Sequence, residues 1–148
     1  MKELEAIRVS REVTVLLIDD NDVDREGVRR AFVKAKIKNP VVEAKDGLDG
    51  LEKLRGSAET PPLPRPYLIL LDINMPRMAG IEFLRTVRTD PALADSLVFV
   101  LTTSKSDEDR MASYDFNVAG YIIKSDVGAR FLRLVEMIEH YWKVVEFP

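Results

Sequence analysis

The chain contains no cysteine and only one histidine in 148 residues. Disulfides and thiolate metal sites are therefore excluded, and an imidazole-based zinc centre has too few ligands. No apolar run approaches the roughly 18 residues needed to cross a bilayer. The opening MKELEAIRVSREV lacks the apolar centre of a signal peptide, so a soluble protein in the reducing cytoplasm is expected. Nor is there a large excess of either charge. With 32% charged residues and a net charge of -3, no general attraction to nucleic-acid phosphates or anionic lipid is expected. The basic residues Arg29, Arg30, Lys34, Lys36 and Lys38 read as the solvated face of a helix. Internal repeats and low-complexity segments are also missing.

What the sequence does hold is enough apolar material for one domain, at 46% hydrophobic residues. Val13 to Ile18 (VTVLLI) is too continuously apolar for a one-sided strand, which implies burial on both faces of a parallel sheet. Val28, Ala31, Phe32 and Ala35 then recur at helical spacing, with Asn21 or Asp22 available as N-cap. A short strand opens at Pro40 (PVVEAK), followed by a helix from Asp46-Gly47 that buries Leu48, Leu51 and Leu54. Gly56 to Pro66 holds four of the eight prolines and reads as a stiff surface loop.

The alternation continues with the strand YLILL and a helix marked by Ile81, Leu84 and Val87. Leu97 to Leu101 forms a fourth strand, and Ser106 with Asp109 resembles a capping box for a fourth helix that Asn117 ends in a left-handed turn. GYIIK is a fifth strand, and Phe131, Val135, Ile138 and Trp142 are spaced as the stripe of a last helix. Five strands alternating with five helices give a parallel α/β sheet covered on both sides by right-handed crossovers. The expected organisation is a lead at 1–12, a domain at 13–142 and an apolar tail at 143–148.

In such sheets the ligand crevice lies beyond the carboxyl ends of the strands. Strand one ends in Asp19 and Asp20, strand three in Asp72, strand four in Thr102 and Thr103, and strand five in Lys124. Taken singly, each is explained by capping or by solvation. Together they deliver three carboxylates, a hydroxyl and an amine to one rim, and crowded carboxylates repel unless positive charge compensates. One lysine leaves two negative charges uncompensated. A divalent cation fits that deficit, and oxygen-only ligands point to Mg²⁺. This constellation suits phosphoryl transfer, where positioning and charge neutralisation do most of the catalysis and a carboxylate can be the nucleophile. Asp72 is the candidate acceptor, with Asp20, and Asp19 through water, holding the metal.

With LLIDDND (Leu16 to Asp22), LLDINMPRMAG (Leu70 to Gly80), VLTTS (Val100 to Ser104) and AGYIIK (Ala119 to Lys124) in this order, the chain resembles the receiver domain of two-component response regulators. The resemblance runs from Val13 to Tyr141. It implies a flavodoxin-like, doubly wound sheet of strand order 2-1-3-4-5. It also implies a single-domain response regulator, phosphorylated on Asp72 by a sensor histidine kinase, that switches the binding of a downstream protein or passes the phosphoryl group on. By resemblance Asp19 and Asp20 form the acidic metal pocket, and the backbone carbonyl of Asn74 completes the Mg²⁺ shell. Thr102 is the switch hydroxyl, Tyr121 the aromatic that turns inward with it, and Lys124 the amine on a phosphoryl oxygen. Such a protein is not a turnover enzyme; it phosphorylates and dephosphorylates itself. The family usually has proline after the lysine in a cis peptide, whereas Ser125 stands here, and a cis bond before serine would cost about 2.5 to 4 kcal/mol. The Pro-rich loop and the tail are reminiscent of stand-alone receivers, some of which partner phytochrome-type kinases.

Two competing readings remain. A haloacid dehalogenase-type phosphatase also uses a strand-end Asp, a Thr or Ser, a Lys and an acidic pair. There, however, the nucleophile comes first and a second Asp follows two residues later, where this chain has Asn74. A non-phosphorylated scaffold would leave the acidic rim merely solvated. The tail HYWKVVEFP is apolar at Tyr141, Trp142, Val144, Val145 and Phe147. It either packs on its own domain or reaches a second copy to make a two-fold homodimer. His140, in the last turn of the final helix, reads as structural or interfacial, and Met111 and Met137 as filler.

Overall fold

A continuously apolar, β-branched segment has no polar face to offer water, so it belongs in the middle of a covered sheet. The computed structural model, which describes residues 12–73, 79–107, 115–128 and 133, places β1 (Thr14–Ile18) and β3 (Tyr67–Asp72) there, with every residue of both buried. With β2 (Val41–Ala44), β4 (Leu97–Thr102) and β5 (Gly120–Ile123) they form one sheet of order β2-β1-β3-β4-β5. All four pairings are parallel. This is the flavodoxin-like topology, and the order reverses at β1, which pairs with both β2 and β3.

Three helices lie wholly within the described residues: α1 (Asp22–Lys34), α2 (Gly47–Arg55) and α3 (Ala79–Thr89). Residues 105–107 and 127–128 are also helical. Side chains alternate across the sheet, so Leu16, Ile18 and Leu71 pack with Phe83 and Leu84 on one face. Leu17, Leu70 and Leu101 pack with Val28 and Phe32 on the other. The expected stripe of α1 is thus in place. Asn21 caps this helix by accepting from the Asp24 backbone N–H at 3.0 Å. Arg29, Arg30, Lys34, Lys36 and Lys38 are all exposed, but only the first three lie on the expected helix face; Lys36, with φ 61°, and Lys38 follow the helix end.

Helix α2 departs from its sequence pattern. Leu48, expected in the core, is 79% exposed, and the buried face is instead Gly47, Gly50 and Leu54. A Cβ on Gly50 would lie 2.6 Å from Ile18 Cδ1 and 3.2 Å from Phe83 Cε1. The helix therefore approaches β1 along its glycines, and that approach turns Leu48 outward. Asp46 caps the helix by accepting from Asp49 N at 2.7 Å, and Gly56 ends it with φ 77°. The proline-rich segment then runs over the surface, with Leu63 packed against the core.

A second departure concerns the chain after β4. The capping residue is Ser104, not Ser106: its Oγ accepts from the Asp107 N–H at 3.2 Å, and Ser106 already lies in the helical turn. The spacing S-x-x-D occurs twice in this stretch, and the copy closer to the strand end is the one used; Asp109 lies outside the described residues. Asn117 does adopt the left-handed conformation, φ 57°, and so does Asp115, φ 51°. The stripe Phe131, Val135, Ile138 and Trp142 lies outside the described residues.

One arginine fastens the outer part of the sheet. From the last turn of α3, Arg88 donates to the carbonyls of Ala94, Ser96, Phe116 and Asn117 at 2.8–3.1 Å. These are the segments that lead into β4 and β5. Tyr67 adds a buried hydroxyl contact to Ser96 at 2.7 Å.

Candidate functional site

Because all strands run the same way, their last residues meet at one rim. β1 delivers Asp19 and Asp20, β3 delivers Asp72, β4 delivers Thr102, and Lys124 follows β5 as the first residue of a 3-10 turn, Lys124–Asp126. Asp19 and Thr102 are fully buried and Asp72 is 2% exposed, whereas Asp20 stands open to solvent. Carboxylate oxygens of Asp19, Asp20 and Asp72 lie within 4.8 Å of one another. The grouping expected from the strand ends is therefore real.

Lys124 reaches into this cluster. Its Nζ lies 3.2 Å from Asp19 Oδ2, 3.2 Å from Asp72 Oδ1 and 2.9 Å from Asp24 Oδ2. Burial works against its charge, but the Asp24 hydrogen bond and the Asp72 and Asp19 charges outweigh it and push the ammonium pKa up. For Asp19, burial is the largest influence and the Asp72 charge adds to it. Against the backbone N–H of Asn21 and the Lys124 ammonium, these leave the carboxyl above its ordinary range. Asp19 Oδ1 accepts from Asn21 N at 3.0 Å, and its backbone carbonyl accepts from Arg25 Nη1 at 2.6 Å. The only cis peptide among the described residues is Arg65–Pro66, so Lys124–Ser125 runs trans and still brings the ammonium to the carboxylates.

Thr102 lies one residue beyond Leu101, the register partner of Asp72. Its hydroxyl is buried with no hydrogen-bond partner among the described residues. A buried hydroxyl left so costs about 1–3 kcal/mol, an expense that an incoming ligand oxygen would remove. Three hard carboxylates around one ammonium likewise suit a hard divalent cation, with Asp19, Asp20 and Asp72 as its protein oxygens. Asn74, the expected carbonyl ligand, lies outside the described residues. Tyr121, on β5 beside Val100, is half-buried against the core cluster that contains Phe83. Tyr141, Trp142, Val144, Val145 and Phe147 also lie outside the described residues.

Two participants escaped the sequence reading. Asp24 looked like one more acid in the first turn of α1, and no spacing rule links it to a lysine 100 positions away. Arg25 looked like surface charge, yet it holds the Asp19 carbonyl and pairs with Asp22 and Glu43. Among the described residues no helix is long and apolar enough to cross a membrane.

Comparison with known proteins agrees with this geometry. The family model of the response regulator receiver domain matches residues 15–137. Response regulator Rcp1 of Synechocystis sp. is 34% identical over 128 residues, which span 86% of this chain and 87% of that protein. The solved structure of the Mn(2+)-bound form of Rcp1 superposes with a TM-score of 0.65 at 32% identity, over 92% of this chain and 99% of that one. The phosphorylated cyanobacterial phytochrome response regulator RcpA superposes with a TM-score of 0.68 at 33% identity, over 93% and 99%.

Proposed function

Since the chain belongs to the response regulator receiver domain family, we propose that Asp72 is its phosphoacceptor and that the rim around it is a phosphorylation switch. The observation that carries this is one buried carboxylate, 2% exposed, with an ammonium at 3.2 Å and, on the adjacent strand, a threonine hydroxyl that has no partner among the described residues. The donor is a phosphohistidine on a sensor kinase. An Asp72 carboxylate oxygen bonds to phosphorus, the P–N bond breaks, and its electron pair stays on the imidazole nitrogen, which takes up a proton. The product is an acyl phosphate.

Lys124 donates to a phosphoryl oxygen, and Thr102 supplies the hydroxyl that follows it, with Tyr121 turning inward on the same side. Asp19, Asp20 and Asp72, with the Asn74 carbonyl, would hold Mg²⁺, which offsets charge on the transferring group. The acidic cluster here and the Mn(2+)-bound form of Rcp1 together support the binding of a divalent ion. The chain phosphorylates and dephosphorylates itself without turnover of free substrate, and the acidic pair preceding the acceptor sets it apart from phosphatases of the haloacid dehalogenase type.

The added charge biases a two-state surface on the β4 and β5 side of the sheet, where a downstream protein or phosphotransfer partner binds. The likeness to a phytochrome response regulator supports a phytochrome-type kinase as the upstream partner, and both would sit in the cytoplasm. The apolar tail at 143–148 is the candidate arm of a two-fold homodimer. Unchanged particle mass after deleting 144–148 from a dimeric protein would exclude that arm.

Incubation with Mg²⁺ and a small acyl phosphate, followed by peptide mass spectrometry, tests the acceptor. The modification should sit on Asp72, be released by hydroxylamine, and vanish in Asp72→Asn or with chelator. A label that persists in Asp72→Asn would overturn the proposal.

A further inference from the structure

An ammonium has three N–H donors. Lys124 donates to Asp24 at 2.9 Å and to Asp19 at 3.2 Å and forms an ion pair with Asp72 at 3.2 Å, so its one charge is shared among three carboxylates. A phosphoryl group on Asp72 brings further anionic oxygens to the same place. With that group added, four anionic partners surround three N–H donors, so the ammonium cannot serve all of them at once.

The three partners are not equally free to be given up. Asp19 is fully buried and pinned through the Asn21 N–H and the Arg25 contact, so leaving it uncompensated is costly. Asp72 is the group that carries the phosphoryl, so the ammonium moves with it. Asp24 is 44% exposed and lies in the first turn of α1, where water and the helix amino terminus both support its charge. Its backbone N–H, not its side chain, serves the Asn21 cap, so α1 keeps its cap without the ion pair.

We propose that Asp24 restrains Lys124 in the unphosphorylated protein, and that switching exchanges the Asp24 carboxylate for a phosphoryl oxygen. This rests on the assignment of Asp72 as acceptor. Asp24 is then a positioning residue that sets how readily the phosphorylated arrangement forms, without touching the phosphoryl group.

The test is calorimetric titration with beryllofluoride, a phosphoryl mimic, in the presence of Mg²⁺. Asp24→Asn should bind it about two- to five-fold more tightly than the native chain, the range a partly exposed ion pair supports. Asp22→Asn removes an equal charge from the same turn without touching Lys124, since Asp22 is 89% exposed and paired with Arg25. It should leave the affinity unchanged. Unchanged or weaker binding in Asp24→Asn would overturn the restraint, as would equal tightening in both variants, which would reduce the effect to general charge relief. If the native chain itself fails to bind beryllofluoride, the acceptor assignment falls first, so the two failures are told apart.

Discussion

Replacing Thr102 with valine puts a methyl group where the structure has a hydroxyl, at almost unchanged volume. That hydroxyl is fully buried and unpartnered among the described residues, and the residue ends a strand whose neighbours on either side are β3 and β5. Burying it unpaired costs about 1–3 kcal/mol, and valine is at least as well suited to a covered strand. Thr102→Val should therefore be more stable than the native chain by about 1–2 kcal/mol. At about 2–4 °C per kcal/mol for a chain of this size, the melting temperature should rise visibly. Guanidinium unfolding in chelator, with the denaturant slope compared between the two proteins, measures the difference cleanly. The same variant should retain less phosphoryl at Asp72, because a hydrogen bond to a charged oxygen is gone. A Thr102→Val protein that unfolds earlier at unchanged slope would mean that the hydroxyl is satisfied in the native state, and the reasoning that makes it a waiting ligand would fail.

Further expectations concern other parts of the molecule. Arg88→Lys should cost about 2–3 kcal/mol in guanidinium unfolding, because one ammonium cannot serve four carbonyls spread over two segments; a loss below measurement error would deny the clamp. Gly50→Ala should lose about 1–3 kcal/mol despite alanine's better helix propensity, given the 2.6 Å approach to Ile18, and a gain in melting temperature would show that α2 can retreat. At Asp49, burial raises the carboxyl pKa, but hydrogen bonds from Lys53 Nζ and Lys45 N more than offset it and hold the group below 3.8. Its contribution is thus present above that value and lost as pH falls through the lower folded one. Asp49→Asn should cost about 1 kcal/mol at neutral pH and progressively less in acid, and a gap independent of pH would contradict this. Millimolar Mg²⁺ should raise the melting temperature of the native chain, and Asp20→Asn should lose most of that rise while being no less stable in chelator.

The strand ends were readable because a parallel sheet leaves few choices. Once VTVLLI and YLILL are buried on both faces, Asp19 and Asp72 have to emerge at one rim, and charge alone then asks for Lys124 nearby. Leu48 was misread because periodicity counts apolar residues but not the depth of approach: the close contact of Gly50 with Ile18 decides which way α2 faces. The cap at Ser104 was misplaced for a related reason, since two identical spacings compete and only the exit from β4 selects one. Asp24 was invisible because its partner lies 100 positions along the chain, and Arg88 because its acceptors are backbone carbonyls, near and far, that packing selects and no side-chain spacing marks.

The Arg88 clamp gives the outer sheet a mechanical polarity. It pins the entrances of β4 and β5, while Thr102 and Lys124 stand where those same strands finish. Strands of this length are roughly 13–20 Å from end to end, and their backbone is too stiff to shorten. A tug at the far end therefore cannot draw them past α3; it levers them about a fixed heel or is handed on to the chain that leaves them. A change at the rim would thus be passed sideways, towards the β5 edge.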